Sequence, residues 1–163
     1  MKILINAGPT RESIDPVRFI SNHSTGKMGY ALADAAIRAG HAVTLVSGPV
    51  SLTPPEGLAE LVRVVTAAEM AEAMKSRFPE MELTVLCAAV ADYRPRIAAA
   101  SKLKKQPGGL TLELERTEDI ALSLGRMKQL GQLLAGFAAE TDDVEQNARK
   151  KLAAKNFDWI AAN

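Results

Sequence analysis

The chain has little that would hold it together other than its own core. Among 163 residues it carries one cysteine, Cys87, which excludes an intramolecular disulfide and fits a reducing compartment. No apolar run reaches the roughly 18 residues of a membrane span. Met1-Lys2-Ile3-Leu4-Ile5 passes directly into a polar loop without a cleavage signature, so the sequence argues against membrane insertion and secretion and for a cytoplasmic protein. Neither charge sign is in excess: 20 Lys and Arg against 19 Asp and Glu leave +1, too little for a global field that would recruit nucleic acid. His23 and His41 have no metal-ligand partners at useful spacing, and no Cys/His cluster suggests zinc. No internal repeat, low-complexity stretch or interdomain linker is visible, and a chain of this length buries roughly two-thirds of its unfolded surface as one domain.

What is present is an alternation of short apolar runs and helical patterns. Strands are expected at Lys2–Ala7, His41–Val46, Leu61–Val65, Leu83–Ala89, Leu110–Glu115, Leu133–Phe137 and Trp159–Ala162. Helices are expected from Gly26 to Ala39, with Ser24 or Thr25 as N-cap and Gly40 as C-cap, and at Ala67–Arg77, Glu118–Lys128 and Val144–Lys155. Strand–helix alternation implies right-handed crossovers and an α/β, three-layer Rossmann-like fold with a mostly parallel sheet. In such sheets ligands bind at the carboxyl ends of the strands, where strand order reverses. The loops after Ala7 and Ser47, and the stretches Ala88–Pro95, Thr117–Ala121 and Phe137–Thr141, are placed there. Lys102–Gly109 reads as a mobile basic loop.

The nucleotide motifs of other folds are missing. Gly8-Pro9-Thr10 lacks the three spaced glycines of a dinucleotide loop, and Leu45-Val46-Ser47-Gly48 lacks the acid that would hold a ribose. Gly26-Lys27 resembles the end of a P-loop, but Met28 stands where Ser or Thr is needed and Ser21 where the earlier glycine should be. What remains is Ser24-Thr25-Gly26-Lys27-Met28-Gly29 opening a helix, whose free N–H groups suit either a phosphate or a simple cap.

The string Ala7-Gly8-Pro9-Thr10-Arg11-Glu12, followed by Asp15-Pro16-Val17-Arg18-Phe19-Ile20-Ser21-Asn22-His23-Ser24-Thr25-Gly26-Lys27-Met28-Gly29, closely resembles the phosphopantothenate–cysteine ligase family. Further matches are Val46-Ser47-Gly48-Pro49, Ala88-Ala89-Val90-Ala91-Asp92-Tyr93-Arg94, Lys102-Leu103-Lys104-Lys105, Gly136-Phe137-Ala138-Ala139-Glu140-Thr141 and Lys155-Asn156-Phe157-Asp158, so the resemblance covers essentially the whole chain. Where the family often has Asn-Pro-Asp-Ile, this chain has Thr117-Glu118-Asp119-Ile120.

The resemblance implies a ligase of coenzyme A biosynthesis. In it, the carboxylate of 4'-phosphopantothenate attacks the α-phosphate of CTP, and cysteine then displaces CMP from the acyl-cytidylate, with Mg²⁺ offsetting the charge. It implies that the ligase is the C-terminal half of a bifunctional protein whose N-terminal half is a flavin-dependent decarboxylase, so no flavin is expected on this domain. It also implies a homodimer, and family members usually continue for several dozen residues past the position of Asn163. The expectation is therefore one nucleotide-binding ligase domain over 1–163, short of that C-terminal extension.

By the same resemblance Asn22 acts on the acyl intermediate, Arg18 binds substrate phosphate or carboxylate, and Lys102 stabilises charge at the α-phosphate. Leu86, Cys87 and Ala88 read the base edge through backbone, with Cys87 a small filler. Asp92, Phe137, Lys151 and Lys155 contact the nucleotide, and Glu118, Asp119, Ile120 and Ala121 do so chiefly through a helix N-terminus. Gly8, Thr10, Ser24, Thr25 and Gly26 complete the expected nucleotide set. Trp159 reads as a buried or interface residue.

Overall fold

The computed structural model describes residues 1–105, 107–138 and 142–162. Six strands form one parallel sheet: β1 (Lys2–Ala7), β4 (Ala42–Ser47), β5 (Glu60–Arg63), β6 (Leu83–Leu86), β9 (Leu133–Ala138) and β10 (Trp159–Ala162). Their order is β10-β9-β6-β1-β4-β5, so the chain winds outward from β1 in one direction and then from β6 in the other. The reversal between β1 and β6 opens the crevice characteristic of a doubly wound sheet. The α/β Rossmann-like architecture read from the sequence is the one observed.

The sheet alternation sorts the core into two layers. Ile3, Ile5 and Ala7 of β1 pack with Val43 and Leu45 under Tyr30 and Ala33 of α1 (Lys27–Arg38). Leu4 and Val46 face the other way, against Met70, Ala71 and Met74 of α2 (Ala67–Arg77), Leu124 of α3 (Ile120–Met127), and Leu134 and Phe157. The fourth helix, α4 (Val144–Ala154), adds Leu152 to this second layer. Register places Leu133, Ala135 and Phe137 of β9, and Trp159 of β10, on the α1 side, where α1 reaches only β1, β4 and the flank of β6. Trp159 is accordingly 54% exposed, so of the two expectations, burial or an interface, burial is the one that fails.

Local chemistry sets the boundaries. Helix α2 starts with a reciprocal capping box: Thr66 Oγ1 accepts Glu69 N at 3.1 Å, and Glu69 Oε2 accepts Thr66 N at 3.1 Å. Helix α1 does not use Ser24 or Thr25 as its cap. Gly26 holds that position at φ 78°, where a Cβ would stand 2.8 Å from Val50 Cγ1 and 3.3 Å from Gly8 Cα. Strand β6 ends at Leu86, three residues earlier than expected, because Asn6 Oδ1 diverts the N–H groups of Cys87 (2.7 Å) and Ala88 (2.9 Å) out of the ladder.

Of the strands in two small antiparallel ribbons, sequence marked only one, and that one in part. Arg11–Ser13 (β2) pairs with Phe19–Ser21 (β3) in what had read as a long excursion. Tyr93–Pro95 (β7) pairs with Leu114–Arg116 (β8), so the expected strand at Leu110–Glu115 joins this ribbon and not the main sheet. Three-residue strands are too short to carry a recognisable periodicity.

Candidate functional site

A cleft of about 440 Å³ opens at the carboxyl ends of β1, β6 and β9. Its first wall is the strand end itself, Leu86, Ala88, Ala89 and Val90, braced from below by Asn6. Asn6 is 2% exposed, and its amide nitrogen donates to Met70 Sδ at 3.7 Å, so this buried polar group is satisfied on both sides. Ala89 N donates to Gly8 O at 2.9 Å. The N–H groups of residues 87 to 89 are thus engaged, and what these three residues have left to offer a ligand is carbonyl oxygen.

Asn22 follows β3 directly and reaches over that edge. Its Nδ2 donates to Ala89 O at 3.0 Å and Val90 O at 3.3 Å. Carbonyl oxygens only accept, so the amide orientation is fixed by its neighbours, and Oδ1 is the atom left for a ligand.

The opposite wall is the start of α3. Asp119 caps the helix by accepting Leu122 N at 3.0 Å, and its other oxygen pairs with Lys155 Nζ at 3.0 Å. Burial alone would push the Asp119 carboxyl up; the Leu122 N–H, Lys155 and the Ala121 N–H outweigh it and hold the group below its ordinary value. Glu118 points away, to Lys75 at 2.8 Å and Ser123 Oγ at 2.7 Å, and Lys75 foremost lowers its pKa. Lys151 of α4 and Lys155, which caps the C-terminus of that helix, line the same side, four residues apart. Phe137, 39% exposed, and Phe157 supply aromatic surface, the latter against Gly136, where a Cβ would meet the ring at 2.6 Å. Asp92 lines the floor, and its carboxylate has no hydrogen-bond partner among the described residues.

The structure therefore brings Asn22, Leu86, Ala88, Asp92, Glu118, Asp119, Ile120, Ala121, Phe137, Lys151 and Lys155 to one cleft. It does not bring the first-loop set there. Thr10 is fully buried, and its Oγ1 accepts Ala91 N at 3.0 Å, so it holds the wall from behind. Gly8 and Gly26 are buried against each other and Val50, Ser24 Oγ accepts Gly26 N at 3.3 Å, and Thr25 is exposed outside the cleft lining. The loop after Ser47 is filled by its own backbone, since a Cβ at Gly48 would stand 1.8 Å from Pro9 O. Cys87 sits behind its neighbours, its N–H held by Asn6 and its thiol pushed up by burial.

Lys102 is exposed and Arg18 half-buried; both lie outside the cleft lining and are joined to each other through Asp15 and Leu103. Arg18 precedes Asn22 by four residues along β3, about 13 Å of extended chain. The Ala139–Thr141 part of the expected site stretch lies outside the described residues. Asn6, Gly136 and Phe157 were not assigned to the site from sequence, although an asparagine inside an otherwise apolar strand is a signal that could have singled out Asn6.

A larger cleft of about 670 Å³ lies at the amino ends of the strands, lined by Lys2, Thr44, Glu60 and Arg77 among others. Its charges are largely spent on one another, Arg77 Nε donating to Glu60 at 2.8 Å, and the crossover geometry gives it no loops to gather a ligand. No group of three metal-ligating side chains occurs among the described residues, and no described helix is long and apolar enough to cross a membrane.

Comparison with known proteins places this geometry. The coenzyme A biosynthesis bifunctional protein CoaBC of Bacillus subtilis (strain 168) is 58% identical over 161 residues, 99% of this chain and 39% of that protein. A cysteine/cysteine sulfinic acid decarboxylase of an unknown prokaryotic organism is 52% identical over 162 residues, 99% of this chain and 45% of its own length. The chain thus spans less than half the length of these relatives. The crystal structure of the C-terminal domain of a CoaBC protein superposes with a TM-score of 0.87 at 49% identity, covering 99% of this chain and 76% of that one. The model of the DNA/pantothenate metabolism flavoprotein C-terminal domain matches residues 1–163, and the chain belongs to that family.

Proposed function

We propose that this chain is the nucleotide-binding and catalytic part of a phosphopantothenate–cysteine ligase of coenzyme A biosynthesis, acting in the cytoplasm beside a flavin-dependent decarboxylase domain. The carboxylate of 4'-phosphopantothenate attacks the α-phosphate of CTP, giving acyl-cytidylate and pyrophosphate. The amine of cysteine then attacks the acyl carbon, and CMP leaves as the amide forms. The observation that carries this reading is the convergence of Asn22, the β6 strand end, the α3 N-terminus and two α4 lysines in one cleft at the sheet reversal.

Each wall suits one part of the substrates. An edge whose N–H donors are engaged, and whose remaining groups are carbonyls, selects a base with an exocyclic amino group, as cytosine has and uracil lacks. Phe137 offers a face for that base. The positive end of the α3 dipole, with Lys151 and Lys155, favours the phosphates. Asn22 Oδ1 accepts from the cysteine amine and orients its lone pair toward the acyl carbon. Lys102 and Arg18 serve the charged parts of the substrates from the β2–β3 side.

The donor set also fits Mg²⁺ arriving on the triphosphate. Such an ion would be held by phosphate oxygens with one or two carboxylates, and Asp92 is a cleft carboxylate with no partner among the described residues. When bound, it would neutralise charge at the reacting phosphate.

Self-association belongs to the same proposal, since Val17, Phe19, Tyr93 and Leu114 are 59, 47, 46 and 44% exposed on ribbons that pack together through β2 and β7. The test is pyrophosphate release from CTP and phosphopantothenate without cysteine, followed by ligation when cysteine is added. Binding of CTP without pyrophosphate release would make the chain a nucleotide-binding module in place of an enzyme; preference for NADPH in calorimetry would make it a reductase.

A further inference from the structure

Asp15 lies in the turn between β2 and β3, and its carboxylate is fully buried. Its two oxygens do different work. Oδ1 accepts the backbone N–H groups of Val17 and Arg18, both at 2.8 Å, which closes the turn. Oδ2 accepts Arg18 Nε at 3.0 Å, Arg18 Nη2 and, from 88 residues away in sequence, Leu103 N at 3.1 Å. Arg18 Nη2 returns to Leu103 O at 2.9 Å, so one ion pair takes both backbone groups of Leu103. Ala99 N adds a bond to Ile14 O at 2.9 Å. The segment that carries Lys102, Lys104 and Lys105 is therefore fastened to the same turn from which β3 leads to Asn22, while the three lysines remain exposed.

We propose that Asp15 is a positioning residue of the ligase, holding the Arg18 guanidinium and the Lys102–Lys105 segment in one fixed relation to the cleft. The inference rests on the function proposed above. A turn alone would need only Oδ1, which asparagine or serine supplies as well. The second oxygen is spent on a distant backbone and a guanidinium, and a buried charge is tolerated only when its partners are this complete. Arg18 foremost holds the Asp15 carboxyl far below the usual range, so the bond pattern persists at every pH at which the enzyme would work.

Asp15→Asn separates the two duties. The amide oxygen can still close the turn, but an NH₂ group now confronts the N–H groups of Arg18 and Leu103. Leu103→Pro removes the Leu103 N–H, fixes the backbone there and leaves the ion pair whole, which guards against a variant that merely misfolds. Limited trypsin digestion after Lys104 reads the segment directly, since that bond is cleavable in both variants whereas the bond after Lys102 is not once proline follows it. Both variants should be cut about tenfold faster than the parent, the equivalent of one net hydrogen bond, with cooperative melting retained.

In the pyrophosphate reaction the KM for CTP should rise about tenfold with a smaller change in kcat. Asp15→Asn combined with Lys102→Ala should lose less than the product of the two separate losses, because part of what Asp15 does is to place Lys102. Unchanged cleavage in both variants, or full additivity with Lys102→Ala, overturns the proposal. If the parent chain releases no pyrophosphate, the ligase reading fails, and the cleavage comparison still decides whether the carboxylate holds the segment.

Discussion

Replacing Asn22 with aspartate separates the two half-reactions. In the parent structure both amide hydrogens go to Ala89 O and Val90 O, at 3.0 and 3.3 Å. Aspartate puts a charged oxygen where the nitrogen was, facing two carbonyl oxygens that can only accept. The side chain must then rotate away, and the acceptor aimed at the cysteine amine goes with it. Each lost bond is worth about 0.5–1.5 kcal/mol, and Asn22 is exposed, so fold stability should change by about 1 kcal/mol or less. The loss of an oriented acceptor in the second transition state should cost about 1.4–2.7 kcal/mol, a 10- to 100-fold fall in the cysteine-dependent rate.

The first step, which needs no amine, should fall less than about threefold. Single-turnover mixing resolves the two: pyrophosphate release is followed with CTP and phosphopantothenate, and amide formation is followed after cysteine is added. Asn22→Ala serves as the charge-free control and should show the same split. Equal losses in both steps, for both variants, would refute the assignment.

Thr84 Oγ1 is a buried hydroxyl with no hydrogen-bond partner among the described residues, so Thr84→Val should raise stability by about 1 kcal/mol, roughly 2–4 °C in Tm, by thermal unfolding. Gly136→Ala places a Cβ 2.6–3.0 Å from three atoms of the Phe157 ring; it should destabilise by about 1–3 kcal/mol in urea unfolding and weaken CTP binding in calorimetry by displacing that ring from the cleft. The carboxyls of Asp15, Glu60, Glu118, Asp119 and Asp158 are all held below their ordinary values of 3.8 and 4.5. The folded state thus binds fewer protons than the unfolded one, so the stability they contribute is complete above about pH 5 and is lost as pH falls through 4 and below, which acid titration followed by circular dichroism checks.

The parallel sheet was legible because its strands are short apolar runs, most of them followed, before the next strand of the sheet, by a helical pattern. Runs such as Ile3–Ala7 and Val43–Ser47 are buried along their whole length, as a central parallel strand requires. The β2–β3 ribbon was not legible, since β2 is Arg-Glu-Ser and its pairing is set by the Asp15 turn more than by any alternation. In the site, the resemblance named residues of α3, α4 and β9 that line the cleft, and first-loop residues that do not. Gly8, Thr10 and Gly26 share their motif with Asn22 in sequence, yet their packing against Val50 and Ala91 uses them to build the wall. Asp15 and Asn6 were missed for the opposite reason: they work on the backbone of distant segments, and no local spacing records a contact to Leu103 or Cys87.

The central claim is that one cleft, at the reversal between β1 and β6, receives the triphosphate. A crystal of this chain soaked with CTP and Mg²⁺ tests it most directly. The account predicts the base between Phe137 and the Leu86–Ala88 edge, with phosphates at the start of α3 beside Lys151 and Lys155. A triphosphate bound instead at Ser24–Gly26, or among Lys2 and Arg77 at the far end of the sheet, would contradict it.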